Sequence, residues 1–183
     1  MSKNLLVLAL CLTLFAFTGC AQNPAAPALS AEELQALDDS EFVDADVPGE
    51  LAEHFESLGE LASAAAYIVK AEVVSVEVEG GQTLTSVKLT DSFKGKLAKG
   101  DTIEIAEEGG TNGKIFGGTP QMSAPNVYYL FLTDEYNGKY YVTGAFGRFI
   151  VKEGYCVQQT IRAAKIYAYS PMQAKDFEDV VSG

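Results

Sequence analysis

The chain has 183 residues, 48% of them hydrophobic, with ten Phe and nine Tyr, enough for one well-filled core and little more. A formal charge of −12 excludes nucleic-acid binding, which needs Lys and Arg against phosphates, and charge-driven attachment to anionic lipid. The acidity is local: Ala21 to Val69 holds eleven acids and no Lys or Arg, whereas Lys70 to Gly183 holds fourteen acids against twelve bases. Cys11 and Cys20 fall in or at the end of the first twenty residues. Cys156 is then alone in the folded part, with no intramolecular disulfide framework.

Residues 1–20 read MSKNLLVLALCLTLFAFTGC. Lys3 gives a short positive start, and Leu5 to Phe17 is apolar except for Thr13. That run is too short to span a hydrocarbon core of about 30 Å comfortably and suits the apolar region of a signal peptide. Phe17-Thr18-Gly19-Cys20 resembles a bacterial lipobox, with Phe17 standing where Leu is usual. The resemblance implies cleavage after a signal peptide over 1–19 and lipidation of Cys20, with the domain held outside the cytoplasmic membrane by a diacylglyceryl anchor. Residues 20–28, with Pro24 and Pro27 among alanines, read as an extended tether.

Residues 29–65 form an acidic, partly helical segment. Ser30-Ala31-Glu32-Glu33 is a capping box and predicts a helix over Ala31 to Leu37; Ser57-Leu58-Gly59-Glu60 is a second and predicts a helix over Leu58 to Ala65. The acids between them lack the alternating oxygen spacing of a Ca²⁺ loop and read as a solvated, self-repelling spacer. His54, the single histidine, sits beside Glu50 and Glu53 without a second His or a Cys at ligand spacing. It reads as a helix-face residue, neither metal ligand nor base.

Tyr67 to Phe93 is a β-hairpin turned by Gly80-Gly81. Val69, Ala71 and Val73 make one apolar face, after which the apolar set becomes Val74, Val76 and Val78. A period of two that slips at Val73-Val74 predicts a bulge and a bent strand. The return strand places Val87, Leu89 and Phe93 together. Thr102 to Ile105 follows as a third strand, Ile103 and Ile105 inward, and the glycine-rich 109–121 as a loop with a minor strand at Ile115-Phe116. Val127 to Leu132, apolar throughout, predicts a central strand buried on both faces. Asn137-Gly138 turns into Tyr140 to Val142, and further strands are expected at Phe149 to Val151 and within 158–169. Ser170-Pro171 opens a C-terminal helix over 170–183. The fold class expected is mainly β: a small five- to six-stranded antiparallel OB-like barrel over 66–169 with flanking short helices.

The residues Ala66, Ile68-Val69, Val74 to Glu77, Thr85 to Lys88, Thr90, Ser92, Lys94-Gly95, Lys99 to Ile103, Tyr129 to Leu132 and Gly147-Arg148-Phe149 together resemble a family of Gram-positive surface lipoproteins. Their rhythm of strand, Lys-Gly and strand is similar to the OB-like barrel of netrin-like and metalloproteinase-inhibitor (TIMP-like) modules. The first resemblance implies a non-catalytic surface protein whose barrel binds a protein, peptide or glycan. The second implies a protease inhibitor, but those inhibitors chelate zinc through a free N-terminal Cys disulfide-linked beside the barrel, and Cys20 is distant and expected to be lipidated.

Other catalytic patterns are incomplete in the sequence. Gly109 to Lys114 lacks the spacing, the Ser/Thr and the helix of a phosphate loop. One histidine leaves no nucleophile–base pair, and Glu107-Glu108 and Asp134-Glu135 read as turn charges. Tyr128, Tyr129, Tyr140, Tyr141, Tyr155, Tyr167 and Tyr169 offer either core or a stacking face. The sequence therefore predicts lipidation at Cys20 and no catalytic residue, metal or cofactor.

Overall fold

The computed structural model describes residues 28–41, 55–115, 118–144, 146–160, 166 and 170–183. The elements run α1 (Ala31–Glu41), α2 (Leu58–Ala64), β1 (Tyr67–Glu79), β2 (Gln82–Lys94), β3 (Thr102–Glu108), β4 (Val127–Leu132), β5 (Arg148–Lys152), β6 (Tyr155–Gln158), β7 (Met172–Gln173) and α3 (Ala174–Val181). Both capping boxes open helices. In the first, Ser30 N donates to Glu33 Oε2 (2.8 Å) and Glu33 N to Ser30 Oγ (3.3 Å). In the second, Glu60 N donates to Ser57 Oγ (3.1 Å), while the Glu60 carboxylate accepts from Glu56 N (2.8 Å).

The strands pair antiparallel in one seven-stranded sheet, ordered β3-β2-β1-β4-β5-β6-β7. Mainly β is the right class, with more strands than expected. The additional ones come from Glu153-Gly154, whose φ values of 51° and 81° turn β5 back into β6, and from Met172-Gln173, which pairs with β6 as Tyr155↔Gln173 and Cys156↔Met172. The C-terminal helix accordingly starts at Ala174, because the residues after Pro171 are held as an edge strand. The ladders leave β3 and β7 as the sheet's two ends and do not close it into a barrel. Tyr140 to Val142, expected as a strand, makes isolated bridges instead. Tyr140 pairs in parallel with Ile105 of β3, and Val142 pairs antiparallel with Leu132 of β4. Ile115 bridges Gly109; Phe116 and most of 158–169 lie outside the described residues.

The slip in β1 is a bulge. Val73 faces Val87 and Ser75 faces Ser86, so Val74 has no partner, and its side chain is 56% exposed. Val76 packs on the inner apolar cluster, as the new phase requires. Val74 does not join it, and Val78, though in phase, is 46% exposed near the hairpin tip. A second irregularity sits opposite. Lys70 faces Asp91 and Ala71 faces Leu89, leaving Thr90 extra, with its Oγ1 donating to Lys70 O (3.1 Å). One inserted residue reverses the side chains that follow it, so Phe93 packs on the outer cluster and not beside Val87 and Leu89. A third irregularity follows at once, Val69 facing Ser92 and Ile68 facing Lys94, which leaves Phe93 without a partner in the ladder.

Two cores result, one on each face. The inner holds Val69, Ala71, Val73, Val87, Leu89, Ile103, Ile105, Tyr128, Leu130 and Leu132; the outer joins Ile68, Tyr129, Phe131 and Phe149 to Leu58 and Leu61 of α2 and Phe177 of α3. β4 feeds both, buried on its two faces as its unbroken apolar run requires. Of the acidic run read as a solvated spacer, residues 42–54 lie outside the described residues, but two of its first acids are not solvated. Asp38 and Glu41 are each only 5% exposed, and α1 runs to Glu41 because tertiary contacts hold its last turn. Glu41 pairs with Lys152 and accepts from Gln159 Nε2 (2.8 Å), Ser170 Oγ donates to Asp38 (3.4 Å), and Leu29 N donates to Tyr155 Oη (3.2 Å).

Candidate functional site

The chain's inner surface has two unlike ends. At one, apolar residues give way to aromatic rings. Tyr67 and Tyr140 meet edge to face, with centroids 5.5 Å apart and planes at 89°. Each is half-buried against the inner core, as is Leu97. Gly95 explains why the Tyr67 ring stays put: at φ +93°, a Cβ there would lie 2.3 Å from ring Cδ1. The Tyr140 backbone is fixed as well, its N–H donating to Glu104 O and its carbonyl accepting from Ala106 N, both at 2.9 Å. Burial, then the neighbouring Tyr67 hydroxyl and the carboxylates of Glu135 and Asp101, push the Tyr140 hydroxyl pKa up. Next to it the Asn137-Gly138 turn, with φ values of 53° and 79°, holds out Tyr136, which is 66% exposed. Rings in fixed orientation beside carboxylate acceptors suit a stacked ligand with hydroxyl or amide donors.

The other end is polar and closed. Arg148 Nη1 donates to both carboxylate oxygens of Glu107 (2.9 and 3.0 Å) and Nη2 to Pro120 O (2.5 Å); the two side chains are 3% and 7% exposed. Burial pushes the Glu107 carboxyl pKa up, against the opposing pull of the Arg148 guanidinium. Gln121 Nε2 donates to Thr83 Oγ1 (2.9 Å) and Gly110 O (3.1 Å), and Thr83 Oγ1 to Gly109 O (2.9 Å). These bonds tie the glycine-rich loop onto the sheet. The turn charge Glu107 is therefore half of a buried ion pair, and the stretch Gly109 to Lys114 is a strapped loop end. Outside it, a hollow of about 410 Å³ is lined by Gly80, Gly81, Gln82, Glu108 and Gly109, with only two side chains to orient a ligand.

The remaining residues singled out in the sequence divide as follows. Cys20, His54, Tyr167 and Tyr169 lie outside the described residues. Cys156 is a buried free thiol whose pKa burial pushes up, which makes it a core residue and a poor nucleophile. Tyr128, Tyr129 and Tyr155 are core, Tyr129 donating to Glu178, whose carboxylate also takes Lys70 Nζ at 2.8 Å. Tyr140 and Tyr141 stay half-exposed. Tyr67 and Tyr136 were not among the tyrosines expected at a stacking face. Tyr136 carried a readable signal, a ring directly before an Asn-Gly turn; Tyr67 carried none, since its position depends on Gly95. Among the described residues no group of His, Cys, Asp or Glu could hold a metal ion, and no helix is long and apolar enough to cross a membrane. Comparison with protein-family models, curated proteins and solved structures finds no match for this chain.

Proposed function

We propose that this protein is a membrane-anchored extracytoplasmic lipoprotein, non-catalytic, whose OB-like barrel binds a protein, peptide or glycan at the Tyr67–Tyr140 end. The observation that carries the anchor is Gly19-Cys20 at the end of the Leu5–Phe17 apolar run behind Lys3. The barrel reading draws support from Tyr140 and Val142, whose bridges to β3 and β4 span the gap left by the strand ladders. The binding reading draws support from two rings locked edge to face beside Asp101 and Glu135, with Tyr136 projecting from the adjoining turn. Each part has its own test. Mass spectrometry of the mature protein should find a lipid-modified N-terminal Cys20, and Cys20→Ala should move the protein from the membrane to the soluble fraction. A soluble form starting at Ala28, screened on glycan and protein arrays, should give hits that Tyr140→Ala and Tyr136→Ala reduce at least tenfold. An unlipidated product starting elsewhere removes the anchor, and hits indifferent to both tyrosines remove the site.

A further inference from the structure

α1 stands between the residue expected to carry lipid and the sheet, and its seat is built for docking. Its two buried carboxylates face polar partners on the sheet side: Glu41 meets Lys152 and Gln159, and Asp38 meets Ser170. Just ahead of the helix, Leu29 N is held by the Tyr155 hydroxyl. The apolar part of the contact is small. Leu37 packs on the inner core, Leu34 is half-buried, and most other positions of the helix are exposed. An 11-residue helix is marginal in isolation, so its stability is that of its seat, and a mostly polar seat opens locally at low cost.

We infer that α1 is a releasable clasp that sets how far the domain stands from the membrane; the inference rests on the lipoprotein reading above. With α1 docked, nine residues separate Cys20 from Leu29, a maximum reach of about 30 Å. With α1 released, the next residue held on the outer core is Phe55, packed on Phe146, and the thirty-five positions from Cys20 to it set a covalent maximum of about 120 Å. The docked state confines the aromatic end to partners at the membrane surface, and release opens a search volume several times wider. Lys152, Gln159 and Ser170 are then freed together, so a partner offering an acidic helix competes with α1 for the same seat.

The full lipidated protein in vesicles containing an acceptor lipid tests this, with a donor dye on Lys99→Cys, an exposed position, while Cys156 is buried. Lys152→Glu sets two carboxylates against each other; energy transfer to the lipid should fall by at least half, and hydrogen exchange of the Leu37 to Glu41 amides should rise at least tenfold. The charge swap Glu41→Lys with Lys152→Glu should restore both. In the unaltered protein these α1 amides should exchange at least a hundredfold faster than those of β4. Equal exchange of α1 and β4 overturns the clasp, as does transfer that ignores Lys152→Glu while the sheet stays folded. An unlipidated Cys20 defeats the anchor alone, because the exchange measurements read the clasp with or without lipid.

Discussion

Glu107 and Arg148 come from strands β3 and β5, and only the curl of the sheet brings them together. Removing one partner leaves the other charged and buried, so Arg148→Met should cost about 3–5 kcal/mol in urea unfolding, and Arg148→Met with Glu107→Leu should recover most of it. The pair also sets a pH signature. Because burial raises the folded pKa of Glu107 above its ordinary 4.5, its contribution is fully present below that value and is lost as pH rises through the folded pKa. Glu107→Gln should flatten that part of the stability-versus-pH curve. A second residue-scale outcome concerns Gly95: Gly95→Ala forces a side chain into positive φ and into the Tyr67 ring, and should cost about 1–3 kcal/mol by thermal unfolding while displacing Tyr67. Neither feature was legible in the sequence. Forty-one positions separate Glu107 from Arg148, and a Lys-Gly turn says nothing about which ring will lie against its glycine.

At the scale of elements, what could be read was what repeats with a period. The Val73-Val74 doublet breaks an alternation of apolar residues, and an alternation can break only by a bulge or an end. The structural reading gives opposite outcomes for neighbours: Val73→Ala should lose about 2 kcal/mol, and Val74→Ala should stay within about 0.5 kcal/mol, measured by denaturant midpoint. The matching irregularity at Thr90 left no trace in sequence, because its cause is a hydroxyl bonding to a carbonyl on the next strand, and Phe93 was misplaced in consequence. Local capping fared better. Ser57 closes its own helix start, so Ser57→Ala should lower stability by about 1 kcal/mol. The extent of α1 and the start of α3 depended on distant partners, Lys152 for the one and β6 for the other, and so escaped a local reading.

For the whole molecule, the charge imbalance is reorganised by folding. Among the described residues, two acids of the N-terminal segment, Asp38 and Glu41, end up in the body of the protein, where Lys152 and the polar side chains of Gln159 and Ser170 meet them. Glu32, Glu33, Asp39, Glu56 and Glu60 of the same segment stay exposed, and the chain carries a net charge of −12, so raising salt from low to physiological ionic strength should raise the melting temperature, with charge swaps at Lys152 reading most strongly at low salt. The pairing of Tyr140 with Glu104 and Ala106 has a further consequence. A protein confined to a plane meets its own copies again and again at close range. An unpaired strand border under those conditions templates fibres. Here one border of the sheet has its outward amide and carbonyl at Glu104 to Ala106 already taken by the same chain, and the other ends in a strand two residues long. If anchored as proposed above, the protein has little open strand border to offer a neighbouring copy.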